Sequence, residues 1–313
     1  MFAFVVRRLL ATIPVMGVVA LFVFSLLYFS PGDPAAVIAG DLATVEDIEK
    51  VRRTLGLDQP FFVRFGTWLW AIVQGDLGTS IFSGLPVSTL IGQRVEATVS
   101  LAVVTLIFAV VVAVPLGVLA AWKAGGWIDR AVMVFAVFGF SVPVFVLGYL
   151  LIFAFAIELD WLPVQGFVSI REGFWPFLRQ LILPAAALGT IYIALIARMT
   201  RAAMLDVLAQ DYVRTANAKG LRTDKVLLGH ALKNAAVPIV TVIGIGVALL
   251  IGGVVVTESV FAIPGLGRMT VDAILRRDYP IIQGVILMFS FVYVLINLLV
   301  DLSYTLFDPR IRY

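Results

Sequence analysis

Long unbroken apolar stretches, separated by polar intervals of very unequal length, set the pattern of this chain. A bilayer core takes about 20 apolar residues per helix, and six stretches answer to it: residues 9–29, 98–121, 131–157, 181–197, 237–256 and 281–300. The fourth is short and contains Pro184, which leaves its ends loosely bounded. The first follows Arg7 and Arg8 like a signal peptide, but it is too long for an h-region and "FSPGDPAAV" follows it. It reads as an uncleaved anchor.

Two polar intervals are long enough to hold structure. In residues 30–97, Thr44 and Asp47 have capping-box spacing, Glu46/Lys50 and Glu49/Arg53 are i,i+4 pairs, and Pro60 stands at a first helical turn. The Phe and Trp residues after Pro60 suggest a helix along the membrane interface or packed on the bundle. Residues 198–236 form the second interval. Thirteen Lys/Arg fall in the 62 residues of segments 1–8, 122–130, 198–236 and 308–313, against ten in the 115 residues of 30–97, 158–180 and 257–280. The basic side is cytoplasmic, so six spans run N-in and C-in.

Composition agrees: 61% hydrophobic, 14% charged, mean hydropathy +1.05. That much apolar surface calls for lipid as solvent, and the expected fold is an all-α polytopic membrane protein with one domain over residues 1–313. There are no cysteines, hence no disulfides or thiolate metal sites.

Candidate chemistry is sparse. The six apolar cores contain no Asp, Glu, Lys, Arg or His, which argues against an autonomous channel or ion-coupled carrier. The nearest carboxylates are Glu258, facing a water-filled pathway or lying at the outer interface beside a group such as Arg268, and Asp301, near the C-terminal "DPRIRY". No phosphate-binding GxxxxGK[ST] loop is present, and the single histidine, His230, has no second ligand to share a metal. The sequence therefore predicts neither an enzyme nor a cofactor. Gly244, Ala248 and Gly252 make a small-residue face, for packing within the chain or against another subunit.

The cytoplasmic stretch "DYVRTANAKGLRTDKVLLGHALKNAAVP" (211–238) is polar yet helically patterned. Asp211 is suited to N-cap a short helix from Tyr212 to Lys219, and Gly220 supplies a left-handed C-terminal turn that Leu221 can cover. Thr223 can cap a second helix bearing Val226, Leu227, Ala231, Leu232 and Ala235, with Pro238 at the entry to the next span. The first helix is small-sided through Ala216 and Ala218 and carries Arg214 and Lys219. It suits a groove on another protein, or a basic loop near anionic lipid.

These residues resemble the EAA loop of ATP-binding-cassette importer permeases, in the form of the dipeptide/oligopeptide/nickel family, "DYVRTAxAKGL…V…HALxNAxxP". Where the general motif has Glu-Ala-Ala, this chain has Arg214, Thr215 and Ala216, a departure that favours the peptide branch. "RRLLATIP", "PGDPA", "LGLDQP", "GDLGTS", "ESVFAIPGLG" and "DPRIR" extend the resemblance nearly end to end. It implies a type I importer permease in a bacterial inner membrane, the first of two homologous permease subunits. Two cytoplasmic ATPases would grip Asp211, Tyr212, Arg214, Thr215, Ala216, Ala218, Lys219 and Gly220, and a solute-binding protein would deliver substrate outside. Peptides are the implied substrates; nickel, glutathione, opines or oligosaccharides stay open.

Overall fold

The computed structural model describes residues 2–29, 33–40, 43–54 and 56–307. Among these the chain is helical apart from turns and one isolated β-bridge, Thr79 to Pro86. In chain order the helices are α1 (Phe2–Phe29), α2 (Pro34–Ala39), α3 (Val45–Thr54), α4 (Phe61–Val73), α5 (Val87–Trp122), α6 (Trp127–Ser141) and α7 (Val144–Leu151). After α7 come α8 (Phe174–Leu208), α9 (Asp211–Ala218), α10 (Leu232–Asn234), α11 (Ala236–Val260), α12 (Leu266–Arg276) and α13 (Tyr279–Phe307).

Among the described residues five helices, α1, α5, α8, α11 and α13, are long and apolar enough to cross a membrane, and α6 with α7 makes a sixth span if the two are one. The expected single span 131–157 is broken. Its two arms meet at 105°, because Pro143 has no N–H to donate and holds Val142 in an extended conformation (φ −89°, ψ 121°). The second arm ends in a π-helical segment, Ile152–Glu158. The fourth stretch shows the opposite error. α8 runs unbroken through Pro184 for 35 residues, well beyond 181–197.

The chain divides into two compact units. In the first, Met1–Val95 with Met269–Val294, Phe24 of α1 sits among Phe61, Phe65 and Trp68 of α4 at centroid distances of 5.1 to 5.5 Å. α4 therefore packs on α1 with one face and leaves Phe62, Trp70 and Val73 exposed on another. The Thr44–Asp47 box forms: Thr44 N–H donates to Asp47 Oδ2 (3.0 Å) and Asp47 N–H to Thr44 Oγ1 (3.2 Å). Bonds from Thr44, the hydroxyl's first, hold the Asp47 carboxyl below the usual carboxylate range. Buried Asp278 accepts from Ser80 Oγ–H at 2.6 Å and fixes the 75–86 turn.

The second unit, Glu96–Arg268 with Leu295–Tyr313, is built around α8. Leu181, Leu188 and Ile196 of this helix are almost fully buried. α11 approaches it at Gly253, where a Cβ would stand 2.6 Å from Leu188 Cδ1. Large apolar side chains elsewhere, such as Val111, Val134 and Val137, point outward, as a bilayer solvent requires.

Candidate functional site

α9 is a two-turn helix whose end is closed by hydrogen bonds of the Schellman type. Gly220 has φ +76°, its N–H donates to Asn217 C=O (3.0 Å), and Leu221 N–H reaches back to Ala216 C=O (3.3 Å). No atom lies within 4 Å of where a Gly220 Cβ would be. Backbone conformation alone, not crowding, calls for glycine there.

The start differs from expectation. Gln210, in extended conformation, is the N-cap residue and makes no side-chain cap bond; Asp211 is the first helical residue. Its carboxylate is fully exposed beside the helix N-terminus, 3.6 Å from Arg214 Nη1. There it complements the helix dipole rather than capping a donor. Thr223 is not a cap either: Val226 N–H donates to Arg222 C=O (3.1 Å), so Thr223 lies within the second helix.

α9 has two faces. Val213 and Ala216 are buried and pack with Val226, Leu221, Val207 and Leu208. Asp211, Tyr212, Arg214, Thr215, Ala218, Lys219 and Gly220 are exposed. Ala216, expected on the docking face, instead seats the helix on its own chain. The structure thus keeps seven of the eight candidate residues on the surface and gives the eighth a supporting place.

The return segment is π-helical over Lys225–Ala231. Val226, Leu227 and Ala231 are its buried residues, Val226 packing toward α9 and the other two toward the long helices. Leu227, Ala231 and Ala235 pack with Val118 and Ala121 of α5, Ala203 and Met204 of α8 and Ile239 of α11. The return segment on which α9 rests is therefore anchored to the inner ends of three long helices. Pro238 falls in the first turn of α11, where a missing N–H costs no intrahelical bond. His230 is exposed in the π-helical segment.

Glu258 lies inside α11, fully buried, and Arg268, the neighbour expected of it, bonds it through the main chain. Thr98 Oγ–H donates to its Oε1 (2.6 Å), and Arg268 contributes its main-chain N–H to Oε2 (2.9 Å). Leu266 N–H in turn donates to Thr98 Oγ1 at 2.8 Å. Gly265 leaves room for the carboxylate, which a Cβ at that position would strike. The group is a staple between α5, α11 and the start of α12. Asp301 and the "DPRIRY" tail have side chains outside the described residues.

The small-residue face is split. A Cβ at Gly244 would stand 2.5 Å from Val300 Cγ2, whereas nothing lies within 4 Å at Gly252. Sequence reasoning missed one further pair: Arg201 on α8 binds Asp129 on α6 with both of its forks. Asp129 sits just outside the third apolar stretch, and Arg201 reads as one more positive-inside charge.

Long apolar helices with a seated amphipathic helix between α8 and α11 are the features of a multi-pass membrane protein. Residues 113–313 match the family described as "Binding-protein-dependent transport system inner membrane component", and residues 1–102 match the corresponding N-terminal family. The chain belongs to this family. It is 56% identical to the probable peptide ABC transporter permease protein y4tP of Sinorhizobium fredii, over 99% of both chains. It is 45% identical to the glutathione transport system permease protein GsiC of Escherichia coli O6:H1, with 100% of each chain covered. Identity to the dipeptide transport system permease protein DppB of Alkalihalophilus pseudofirmus is 41%, again with full coverage of both. A chain of the MetNI methionine ABC transporter, inward facing, superposes with TM-score 0.60 at 18% identity, covering 71% of this chain and 97% of that one. The fold is that of a type I importer permease, and the protein is a multi-pass inner-membrane component.

Proposed function

We propose that this chain is one of a pair of homologous permease subunits in a peptide importer, and that the cytoplasmic ATPases, two per transporter, grip the pair through α9. The carrying observation is the division of α9 into a buried seat (Val213, Ala216) and an exposed face ending on a left-handed turn. A helix so seated rests on the end of α8 and on the return segment, which in turn packs on the inner ends of α5, α8 and α11, so a pull on it reaches the membrane without a slack loop between. Substrate class is drawn from the relatives, whose names refer to peptide, dipeptide and glutathione transport. Glutathione is itself a peptide, and α-linked or γ-linked peptides share the amide groups and terminal charges that a pathway must pass. ATP is bound by the partner subunits, and the solute-binding protein delivers its load from outside.

The chain has no cysteines, so single engineered thiols are unambiguous probes. With Ala218→Cys and Thr215→Cys, a maleimide–succinimide cross-linker should join this chain to the ATPase in the assembled complex. Ala216→Cys, inside the seat, should not. Equal yields from 216 and 218, or none from either exposed site, would remove the contact assignment.

A further inference from the structure

Arg201 sits about two turns before the end of α8, the helix that leads into α9. Its Nε donates to Asp129 Oδ1 and its Nη2 to Oδ2 at 2.7 Å, the bidentate geometry that fixes orientation as well as distance. Asp129 is buried in the first turn of α6, with its side chain only 6% exposed. It also accepts the Gly125 N–H at 2.9 Å, which ties down the turn between α5 and α6, where Gly125 has φ +76°.

The far end of α6 is held on the same helix by shape. A Cβ at Gly139 would stand 3.1 Å from Ala194 Cβ and 3.2 Å from Thr190 Cγ2, so α6 lies close against α8 there. Residues 129 and 139 thus meet α8 at 201 and at 190–194, an antiparallel register pinned at two places. Immediately beyond, the helix stops at Ser141, and Val142 and Pro143 run extended before α7 leaves at 105°. Such a break is where a hinge absorbs backbone change.

We infer that Asp129 and Arg201 are a positioning pair that locks α6 to α8, so that displacement of α9 is delivered to the 141–143 break. Without the pair, α6 can slide at the glycine turn and the movement is lost there. This rests on the reading of α9 as the ATPase contact.

The test uses the complete transporter, with second permease, ATPases and binding protein, in proteoliposomes. Asp129→Asn, Arg201→Lys (charge kept, fork lost) and the exchange D129R/R201D are compared with the parent. Peptide imported per ATP hydrolysed is the readout, alongside the Ala218→Cys cross-link to the ATPase. The single variants should keep the cross-link and ATP hydrolysis while import per ATP falls at least about fivefold, the low end of usual coupling strengths. The exchange should recover most of the loss. An unchanged import ratio in both single variants, or an exchange no better than they are in an assembled complex, would overturn the inference. A parent lacking the cross-link would instead remove the α9 reading, which keeps the two failures apart. If Asp129→Asn does not insert, Arg201→Lys and the exchange decide.

Discussion

Gly220→Val tests the α9 turn most sharply, because nothing but backbone conformation is perturbed. A valine Cβ meets no atom within 4 Å, so no clash contributes. An L-residue at φ +76° costs roughly 1–2 kcal/mol, with a β-branched side chain at the upper end. If the turn opens to escape that strain, the Gly220–Asn217 and Leu221–Ala216 hydrogen bonds go with it, at about 0.5–1.5 kcal/mol each. Since 1.4 kcal/mol is about tenfold in an equilibrium constant, ATPase binding should weaken by about five- to thirtyfold. The assay is ATPase titration onto the permease pair in nanodiscs, with membrane insertion checked in parallel. Gly220→Asn should bind nearly as the parent does, since asparagine visits the left-handed region, and Gly220→Ala should fall between. Equal loss in the Asn and Val variants would refute a conformational cause, and unaltered binding in Val would refute the docking role of the turn.

Glu258→Ala leaves the Thr98 hydroxyl and the Arg268 N–H without their buried acceptor, a loss of about 1–3 kcal/mol for each. The thermal midpoint of the detergent-purified chain should fall clearly, and Glu258→Gln, which keeps an acceptor oxygen, should fall less. Gly265→Ala should lower the same midpoint through collision with the Glu258 carboxylate. Gly244→Leu should destabilise the isolated chain against Val300, while Gly252→Leu should leave its midpoint unchanged; similar effects at both would restore a single continuous face.

What the sequence shows and hides follows the range of the forces involved. The Gly220 turn was legible because a left-handed conformation is a local demand that one residue type answers. Asp211 was placed one residue out because an acidic side chain suits both the N-cap and the first turn, and only the extended Gln210 separates them. Hydropathy hid the break at Pro143: the apolar run continues through it, and both arms are equally greasy. The same signal undercounted α8, whose C-terminal end carries Arg198, Arg201 and Asp206 while the helix continues. Asp129 and Arg201 pair across 72 residues, and Glu258 finds Thr98 across 160. No local pattern announces either contact, though "ESVFAIPGLG" holds the glycines that make room for the second.

The most direct measurement is uptake of labelled peptide into proteoliposomes, made with this chain alone and with the second permease, the ATPases and the binding protein added in turn. Uptake is expected only with the complete set and ATP, and none from the chain by itself under an ion gradient. Peptide uptake by the lone chain, or by the complete set without ATP, would contradict an externally driven permease.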